Sequence, residues 1–329
     1  MGDVKDRRKA NSTAMSVAAI GECMMEFRST GGDRYALGYG GDTFNTAVYL
    51  RRLGVPVAYG TALGDDPFSS AIISLCQNEG IDVDLIARVP GRLPGIYLIK
   101  TDAVGERRFF YWRDVSPARR LFDLPGSAGL VDRLQQFSLI YVSGITLSLY
   151  SDDGRRTLFE ALDAARRRGG RIAFDSNYRA LGWPDADAAR AAFSMMMPRI
   201  DIALPTLEDE CLLFGDADAA ATVQRYRSAG ASEVVVKDGP KGSTVANRGK
   251  TAFVPTSRIV KPVDTTAAGD SFNAGYLAAR LGGAPPAKAA RAGGELAAVV
   301  IQHPGAIIAR ELMPRPHPPV SRNLHERLR

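Results

Sequence analysis

The sequence predicts an α/β protein built on a mostly parallel sheet, and two observations lead to this fold class. Short apolar runs alternate along the chain with longer segments in which apolar residues recur at helical spacing. Gly and Asp punctuate the ends of the apolar runs, as expected where strands pass into loops. A chain of 329 residues, 45% of them hydrophobic, is long enough to bury a large core.

The elements follow from this alternation in chain order. The predicted strands cover residues 16–20, 57–61, 139–142, 171–174, 200–204 and 233–237, and the predicted helices cover residues 45–53, 68–79, 154–168 and 186–197. These lengths suit strands joined by crossover helices, which is how parallel sheets are connected.

One segment interrupts the alternation. Two runs rich in aromatic and β-branched residues, 95–100 and 107–113, flank the sequence Thr-Asp-Ala-Val-Gly-Glu, and this pattern predicts a β-hairpin. Because side chains alternate along a strand, Phe109, Tyr111 and Arg113 share one face and present rings and a cation in the same direction. The alternative is an ordinary hairpin that packs its aromatic side chains on the core.

The composition limits the function classes. The formal net charge is +6 and the pI is about 9.3, but the basic residues are scattered among acidic ones, which argues against nucleic-acid binding. The three cysteines and three histidines show no spacing typical of a disulfide framework, a zinc site or a catalytic triad. Free thiols suit a cytoplasmic protein, and the absence of an apolar run of membrane-spanning length predicts no membrane partner.

Both chain ends are predicted to be disordered. Residues 1–13 lack the apolar core of a signal peptide, and the proline-rich residues 314–329 do not favour regular structure. We therefore expect a disordered leader, one folded domain at 14–313 and a disordered tail.

The most informative stretch is Asp-Thr-Thr-Ala-Ala-Gly-Asp at 264–270. The small residues 267–269 permit a tight turn, and apolar residues recur at helical spacing after Asp270. The first amides of a helix lack intrahelical partners and lie at the positive end of the macrodipole, so this helix start suits a phosphate. No P-loop motif, Gly-x-x-x-x-Gly-Lys-Ser/Thr, occurs in the chain. Asp270 has two interpretations, an N-cap of the helix or a general base.

A second glycine-rich stretch, Gly-Tyr-Gly-Gly-Asp-Thr-Phe-Asn at 38–45, opens a predicted helix. Its glycines let a ligand approach the backbone. Asp42 offers an acceptor and Asn45 both a donor and an acceptor, which a polyhydroxylated ligand needs. Taken alone, the stretch is equally consistent with a turn and a helix cap.

Together the two stretches resemble the two signature motifs of the PfkB, or ribokinase-like, sugar kinase family. The first match consists of Gly40-Gly41, Asn45-Thr46-Ala47 and Leu53-Gly54, and the second of residues 264–270. The resemblance covers about residues 16–312. Several inner segments are similar to those of the family's kinases for 2-keto-3-deoxygluconate, namely residues 20–24, 93–97, 105–107, 111–113 and 174–179.

The resemblance implies a three-layer ribokinase-like fold in which helices flank a central, mostly parallel sheet. A small β-sheet lid, with strands near 25–39 and 93–114, would cover a sugar site. ATP would be the phosphate donor, with Mg²⁺, and a small sugar acid the acceptor at its 6-hydroxyl. Asp270 would be the catalytic base, and the backbone amides of Ala267, Ala268 and Gly269 would form the anion hole.

A sugar acid carries a carboxylate, which gains most from the planar fork of an arginine. Arg113 and Arg179 are the candidates for this contact, and a surface salt bridge is the alternative for Arg179. The residues that the resemblance implies for sugar binding are Gly41, Asp42, Asn45, Tyr97, Tyr111, Arg113, Arg179 and Asp270.

The family places ATP at the strand 233–237 and the glycine-bearing turn that follows it. The residues implied for nucleotide binding are Asn177, Lys237, Gly239, Gly242, Ser243, Ala267 and Gly269, and a merely solvated lysine is the alternative for Lys237. The family's Asn-x-x-Glu motif, which orders magnesium through water, corresponds to residues 206–210. Here Thr206 takes the place of Asn and Asp209 that of Glu, so Asp209 or Glu210 is expected to hold hydrated Mg²⁺.

Two classes of function follow from these observations. The first is a kinase for 2-keto-3-deoxygluconate, or for another sugar such as fructose or 2-keto-3-deoxygalactonate. The second is a non-catalytic sugar-binding protein on the same fold, which would need neither Asp270 nor the intact turn before it. Because lid strands pair between subunits in some family members, and an exposed strand edge favours such pairing, a homo-oligomer is expected.

Overall fold

The computed structural model describes residues 16–101 and 107–314 of the chain. The predicted leader at 1–13, the hairpin loop at 102–106 and the predicted tail beyond residue 314 lie outside the described residues. Within them the strands are β1 (Val17–Ile20), β2 (Met24–Gly31), β3 (Arg34–Gly40), β4 (Val57–Leu63), β5 (Ile86–Arg88), β6 (Ile96–Thr101), β7 (Arg107–Trp112), β8 (Leu139–Ser143), β9 (Arg171–Asp175), β10 (Ile202–Ala203), β11 (Glu233–Lys237), β12 (Gly242–Asn247) and β13 (Lys250–Pro255).

The helices alternate with these strands over most of the chain. They are α1 (Asp42–Arg52), α2 (Pro67–Glu79), α3 (Ser127–Leu134), α4 (Gly144–Leu149), α5 (Asp152–Arg167), α6 (Ala186–Met196), α7 (Leu207–Phe214), α8 (Ala219–Ser228), α9 (Ala268–Leu281) and α10 (Pro286–Val300). Every strand and helix predicted above is present, and its ends lie within three residues of the prediction. The predicted hairpin is also confirmed as β6 and β7, which pair antiparallel.

The main sheet has nine strands among the described residues, in the order β13-β12-β11-β10-β9-β8-β1-β4-β5. The strands from β11 to β5 are parallel, and β12 and β13 are added antiparallel at one edge. The predicted mostly parallel sheet is therefore confirmed. Strands β1, β8 and β11 are buried along their whole length, which explains why they appear in the sequence as unbroken apolar runs.

Two apolar clusters cover the two faces of this sheet. Side chains of α1, α2, α9 and α10 form the cluster on one face, and side chains of α3 to α8 form the cluster on the other. The result is the expected arrangement of three layers, with helices on both faces of a central sheet.

A second sheet of four described strands has the order β3-β2-β6-β7. Its central pair, β2 and β6, is parallel, with Met25 opposite Ile96 and Glu26 opposite Tyr97. This sheet is the predicted small β lid. On its last strand, Phe110 and Trp112 lie on the face opposite to Tyr111 and are largely exposed.

Two further features complete the description of the fold. No helix in the described ranges is both long enough and apolar enough to cross a membrane.

All three cysteines are free, with Cys23 and Cys76 buried and Cys211 exposed on α7.

Candidate active site

The candidate site forms where two helices begin. Helix α1 starts after Gly41, whose backbone passes so close to the link between β1 and β2 that an added Cβ would lie 1.9 Å from the carbonyl oxygen of Glu22. Helix α9 starts after Ala267, which adopts the left-handed conformation (φ 59°, ψ 19°). The side chains of Asn45 and Asp270, in the first turns of these helices, meet in a hydrogen bond of 2.8 Å from Asn45 Nδ2 to Asp270 Oδ2. The two glycine-rich stretches of the sequence are therefore brought together.

Asp270 is buried and does not cap the helix. The N-cap of α9 is Ala267, and no side chain caps the helix. The N-cap interpretation of Asp270 is therefore wrong, because the chain turns three residues earlier than an Asp270 cap requires. Asp270 is only 8% exposed. Burial, together with the nearby carboxylates of Asp42 and Asp175, raises its pKa well above the ordinary value, and the hydrogen bond from Asn45 opposes this.

Carboxylates from two other elements surround Asp270. Asp42, at the start of α1, accepts a hydrogen bond of 2.9 Å from Asn177 Nδ2, and burial raises its pKa as well. Asp175 ends β9 and pairs with Lys237 Nζ at 3.0 Å. Since β9 and β11 are parallel, their carboxyl ends lie at the same edge of the sheet, where ligands of open α/β sheets bind.

Asn177 reaches Asp42 through an unusual backbone conformation. Its φ of 29° is one of three positive values among the non-glycine residues described. Asn tolerates this region better than most residues, yet the conformation still carries strain, which is a common property of functional loops. The structure thus places Asn177, predicted to bind the nucleotide, beside a residue predicted to bind the sugar.

Lys237 is buried beside the turn that precedes α9. It also donates to Asn273 Oδ1 at 3.1 Å, and a Cβ added to Gly269 would lie 3.7 Å from its Nζ. Lys237 is therefore not a solvated lysine at a strand end, because two acceptors hold its ammonium group inside the protein. Asn273 and Asp175 were not predicted as site residues. Asp175 could have been found from its position at the carboxyl end of a predicted strand.

The turn before α9 is held in place by hydrogen bonds. Asp264 fixes the turn by accepting from the amides of Thr266 and Gly305, both at 2.8 Å. The amide of Ala268 donates to the carbonyl of Thr265 at 3.2 Å, so it is already engaged within the turn. The amides at 267 and 269 lie at the positive end of α9, where a phosphate oxygen gains hydrogen bonds and a favourable field.

The lid contributes two tyrosines to the same region. Tyr97 is buried and donates its hydroxyl to the carboxylate of Glu26, its neighbour on β2. A Cβ on Gly40 would lie 2.6 Å from that hydroxyl, so Tyr97 lies directly over the glycine-rich stretch at 38–45. Tyr111 packs beside Tyr97 with ring centroids 6.1 Å apart. Glu26 was missed in the sequence because a single Glu in a strand carries no recognisable pattern.

The two candidate arginines have different surroundings. Arg113 follows β7 and forms an ion pair with the buried carboxylate of Glu22. Arg179 is largely exposed and lies 3.4 Å from Asp209, the distance between its Nη1 and Oδ1. Both cations act on Tyr111, because they oppose the effect of burial that raises the pKa of its hydroxyl.

The predicted nucleotide turn connects β11 with β12. Gly239 and Gly242 lie within it, around a short 3₁₀ turn at Gly239–Lys241. Ser243 is buried on β12 directly opposite Lys237. The turn and the start of α9 are thus linked through Lys237.

The two carboxylates considered for magnesium are used differently. Glu210 is buried and bound by Arg225 at 2.5 Å and by the hydroxyl of Tyr226 at 3.1 Å. Asp209 accepts from the amide of Tyr178 at 3.2 Å, and burial raises its pKa to about 6. No cluster of three acidic, histidine or cysteine side chains suited to a metal ion occurs in the described ranges.

Comparison with known proteins identifies the family. The model of the pfkB family carbohydrate kinases matches residues 14–312. The chain belongs to this family of carbohydrate kinases. The predicted family and enzyme class, an ATP-dependent carbohydrate kinase, are thereby confirmed.

Relatives within the family cover almost the whole chain. The 2-dehydro-3-deoxygluconokinase of Dickeya dadantii is 44% identical over 309 residues, which are 92% of this chain and 99% of that protein. The crystal structure of a 2-dehydro-3-deoxygluconokinase from Thermotoga maritima has a TM-score of 0.80 at 23% identity, covering 90% of this chain and 95% of that one. A putative ribokinase II from E. coli, in complex with ATP and Mg²⁺, has a TM-score of 0.78 at 22% identity, covering 89% and 94%. These likenesses confirm the ribokinase-like fold.

Proposed function

We propose that this carbohydrate kinase transfers the γ-phosphate of ATP to the 6-hydroxyl of 2-dehydro-3-deoxygluconate, also called 2-keto-3-deoxygluconate. The products would be ADP and 2-keto-3-deoxy-6-phosphogluconate. The observation that carries the proposal is the 44% identity, over nearly its full length, to a relative named for this activity. Two arginines are available for the carboxylate of an acidic substrate, Arg113 after the lid strand β7 and the largely exposed Arg179 beside Asp209.

Asp270 would act as the general base. Its buried carboxylate lies at the start of α9 and receives a hydrogen bond from Asn45, which leaves the second carboxylate oxygen for a substrate hydroxyl. A base with a raised pKa accepts a proton more readily once it is ionised, which suits the removal of a proton from a sugar hydroxyl. The amides of residues 267 and 269 would stabilise the charge on the transferred phosphoryl group, since that of Ala268 is engaged within the turn.

The sugar would lie between the glycine-rich stretch at 38–45 and the lid. Gly41, Asp42 and Asn45 would bind its hydroxyls, since these residues combine open backbone with polar side chains. Tyr97 and Tyr111 would cover the sugar, and Arg113 and Arg179 would bind its carboxylate. The buried Nε of Arg113 has no hydrogen-bond acceptor within the described residues, which fits a guanidinium with a donor left for an anionic ligand.

The nucleotide would lie over the turn after β11. The residues proposed to bind it are Asn177, Lys237, Gly239, Gly242, Ser243, Ala267 and Gly269. Lys237 is suited to hold a phosphate, since its ammonium lies next to the turn at Gly269. The putative ribokinase II from E. coli has the same fold and contains bound ATP, which supports nucleotide binding by this fold.

Of the two carboxylates, Asp209 fits Mg²⁺ better than Glu210, because Glu210 is committed to Arg225. A hydrated Mg²⁺ needs only one or two carboxylates when nucleotide phosphates supply further oxygens. Bound there, the ion would neutralise negative charge on the phosphates. The Mg²⁺ bound in the E. coli structure supports a role for this ion in the fold.

Purified protein with ATP and Mg²⁺ tests the proposal against a panel of 2-keto-3-deoxygluconate, 2-keto-3-deoxygalactonate, gluconate, fructose and ribose. We expect ADP release with the first compound at a kcat/KM at least about tenfold above the others. Preference for fructose or the galactonate would reassign the substrate. The absence of ADP release with every sugar would favour the non-catalytic alternative.

The base is tested by Asp270→Asn. This exchange keeps the shape of the side chain but removes its capacity to take a proton, so kcat should fall at least about a hundredfold. The affinity for the sugar, measured by isothermal titration calorimetry, should change little. Near-normal turnover in the variant would exclude Asp270 as the base.

A further inference from the structure

A buried carboxylate lies at the base of the lid. Glu22 is 2% exposed and occupies the short link between β1 and the first lid strand β2. Burying a carboxylate costs free energy unless partners compensate for the lost water. The ionic partner of Glu22 is Arg113, which immediately follows the last lid strand β7. This pair therefore joins the chain just before the first lid strand β2 to the chain just after the last lid strand β7.

Glu22 also contacts the two segments that flank the sugar site. Its carbonyl oxygen lies under Gly41, where a Cβ would approach it to 1.9 Å, and its carboxylate lies against Gly95, where a Cβ would approach Oε1 to 2.8 Å. Gly95 precedes β6, and its carbonyl accepts from the amide of Met25 at 2.9 Å. A single residue thus touches the glycine-rich stretch, the start of β6 and the end of β7.

The pair leaves part of the arginine unused. Arg113 retains a side-chain exposure of 17%, and its Nη2 faces the Glu22 carboxylate, whereas its Nε is buried without a hydrogen-bond acceptor in the described ranges. A guanidinium carries five N–H donors in a rigid fork, so one carboxylate cannot satisfy all of them. Arg113 can therefore stay paired with Glu22 and still bind a second carboxylate.

From this geometry we infer that Glu22 is a positioning residue for substrate selection, one that holds the Arg113 guanidinium in place to receive the carboxylate of the sugar acid. The inference rests on the proposed function, in which Arg113 binds that carboxylate. An arginine held in place loses less side-chain freedom when the ligand binds, so the gain is in affinity for the acid. Turnover and ATP binding involve other residues and are not expected to depend on Glu22.

A double-mutant cycle tests the inference, with Glu22→Gln, Arg113→Gln and the combined variant. Glu22→Gln should raise the KM for 2-keto-3-deoxygluconate at least about tenfold, with kcat and the KM for ATP within about threefold of the wild type. In the Arg113→Gln background the same exchange should change the KM less than twofold, because its effect acts through Arg113. An equal increase in both backgrounds, or an unchanged or lowered KM in Glu22→Gln, would overturn the inference.

The cycle separates this inference from the proposed function. If Arg113→Gln itself leaves the KM for the acid unchanged, the carboxylate assignment of Arg113 fails and the inference fails with it. If Arg113→Gln raises the KM but Glu22→Gln does not, the inference alone fails.

Two further variants exclude a general loss of structure. Glu233 forms a comparable buried pair with Arg280, at 2.7 Å, but at the amino end of β11 and far from the site. Glu233→Gln should lower the melting temperature without raising the KM for the acid. Glu22→Asp keeps the charge on a shorter side chain and should give a KM between those of the wild type and Glu22→Gln. A wild-type KM in Glu22→Asp, with Glu22→Gln unable to fold, would also overturn the inference.

Discussion

At the residue scale, three carboxylates lie close enough to interact electrostatically in the candidate site. Asp270, Asp42 and Asp175 come from three different elements, and the negative charges of the other two help to keep the pKa of Asp270 high. Coupled groups of this kind titrate together, so a pH profile reports the cluster as a whole. The base must be ionised to accept a proton, and the ionised fraction increases as the pH rises through the raised pKa.

Asp42→Asn should therefore shift the acid limb of the kcat/KM profile to lower pH. Removing a negative neighbour lowers the pKa of Asp270, so this proposed base becomes ionised at a lower pH. The position of the limb is the relevant quantity, since the exchange also affects sugar binding. Asp152→Asn, on the exposed surface of α5, is the control and should leave the limb in place. An unmoved limb in Asp42→Asn would contradict the electrostatic coupling.

The left-handed conformation of Ala267 leads to a stability prediction. A residue with a Cβ pays for this conformation, whereas glycine adopts it freely. Ala267→Gly should raise the free energy of unfolding by about 0.5 to 1 kcal/mol and retain activity, because the backbone amides stay. Ala278→Gly, in the helical interior of α9, should instead lower it by about 1 kcal/mol. Urea titration of both variants is the measurement, and a destabilised Ala267→Gly would argue against strain at this turn.

At the element scale, α7 carries two acidic residues with opposite roles. Glu210 points into the protein and binds Arg225 and Tyr226, which anchors the helix. Asp209 lies at the other side, against Tyr178 and Arg179. The sequence alone did not distinguish these adjacent carboxylates, because the direction of each side chain depends on where α7 starts and on what packs against it.

Asp209 should lower the stability of the protein at neutral pH. Its pKa is raised from 3.8 to about 6, so the folded state binds a proton more tightly than the unfolded state. Stability then decreases as the pH rises from about 4 to about 6, and the loss persists above that range. Asp209→Asn should increase the free energy of unfolding by about 1 to 3 kcal/mol at pH 8 and by little at pH 4.

Denaturant titrations at both pH values measure this effect. Glu208→Gln is the matched control, since Glu208 is exposed in the same turn of α7. Equal stabilisation of Asp209→Asn at pH 4 and pH 8 would contradict the role of ionisation. If Asp209 also orders Mg²⁺, Asp209→Asn should need more Mg²⁺ for half-maximal activity. Residues in functional sites often lower the stability of a protein in this way.

The lid shows the limit of sequence-based prediction for whole elements. The β6–β7 hairpin was predictable because its strands are close in sequence and rich in aromatic residues. The parallel pairing of β2 with β6 was not, because the paired residues Met25 and Ile96 are far apart in the chain. Non-local pairing depends on the rest of the fold and leaves no local pattern.

At the scale of the whole molecule, the fold was predictable because buried parallel strands are unbroken apolar runs. Asp270 was predictable as a candidate for the base because its helix start resembles a signature motif of the family. Its environment was not, since Asn45 and Asp270 are 225 residues apart in the chain. The pairing of Arg113 with Glu22 is hidden for the same reason.

The quaternary structure and the cellular location stay predictions. A homo-oligomer is expected, and sedimentation velocity would determine the number of chains in the particle. The exposed Phe110 and Trp112 are the largest apolar side chains on the outer face of β7.

The unequal burial of the three cysteines allows unfolding of the protein to be followed by the reactivity of its own thiols. Burial raises the pKa of the Cys23 and Cys76 thiols, that of Cys76 to about 12, so both are nearly inert in the folded state. Cys211 is exposed. A thiol reagent should modify one cysteine per chain in the native protein and three in urea, counted by mass spectrometry, whereas rapid modification of all three without urea would contradict this burial. The rate at which Cys23 and Cys76 react would then measure how often the structure around them opens, in the unmodified wild-type protein.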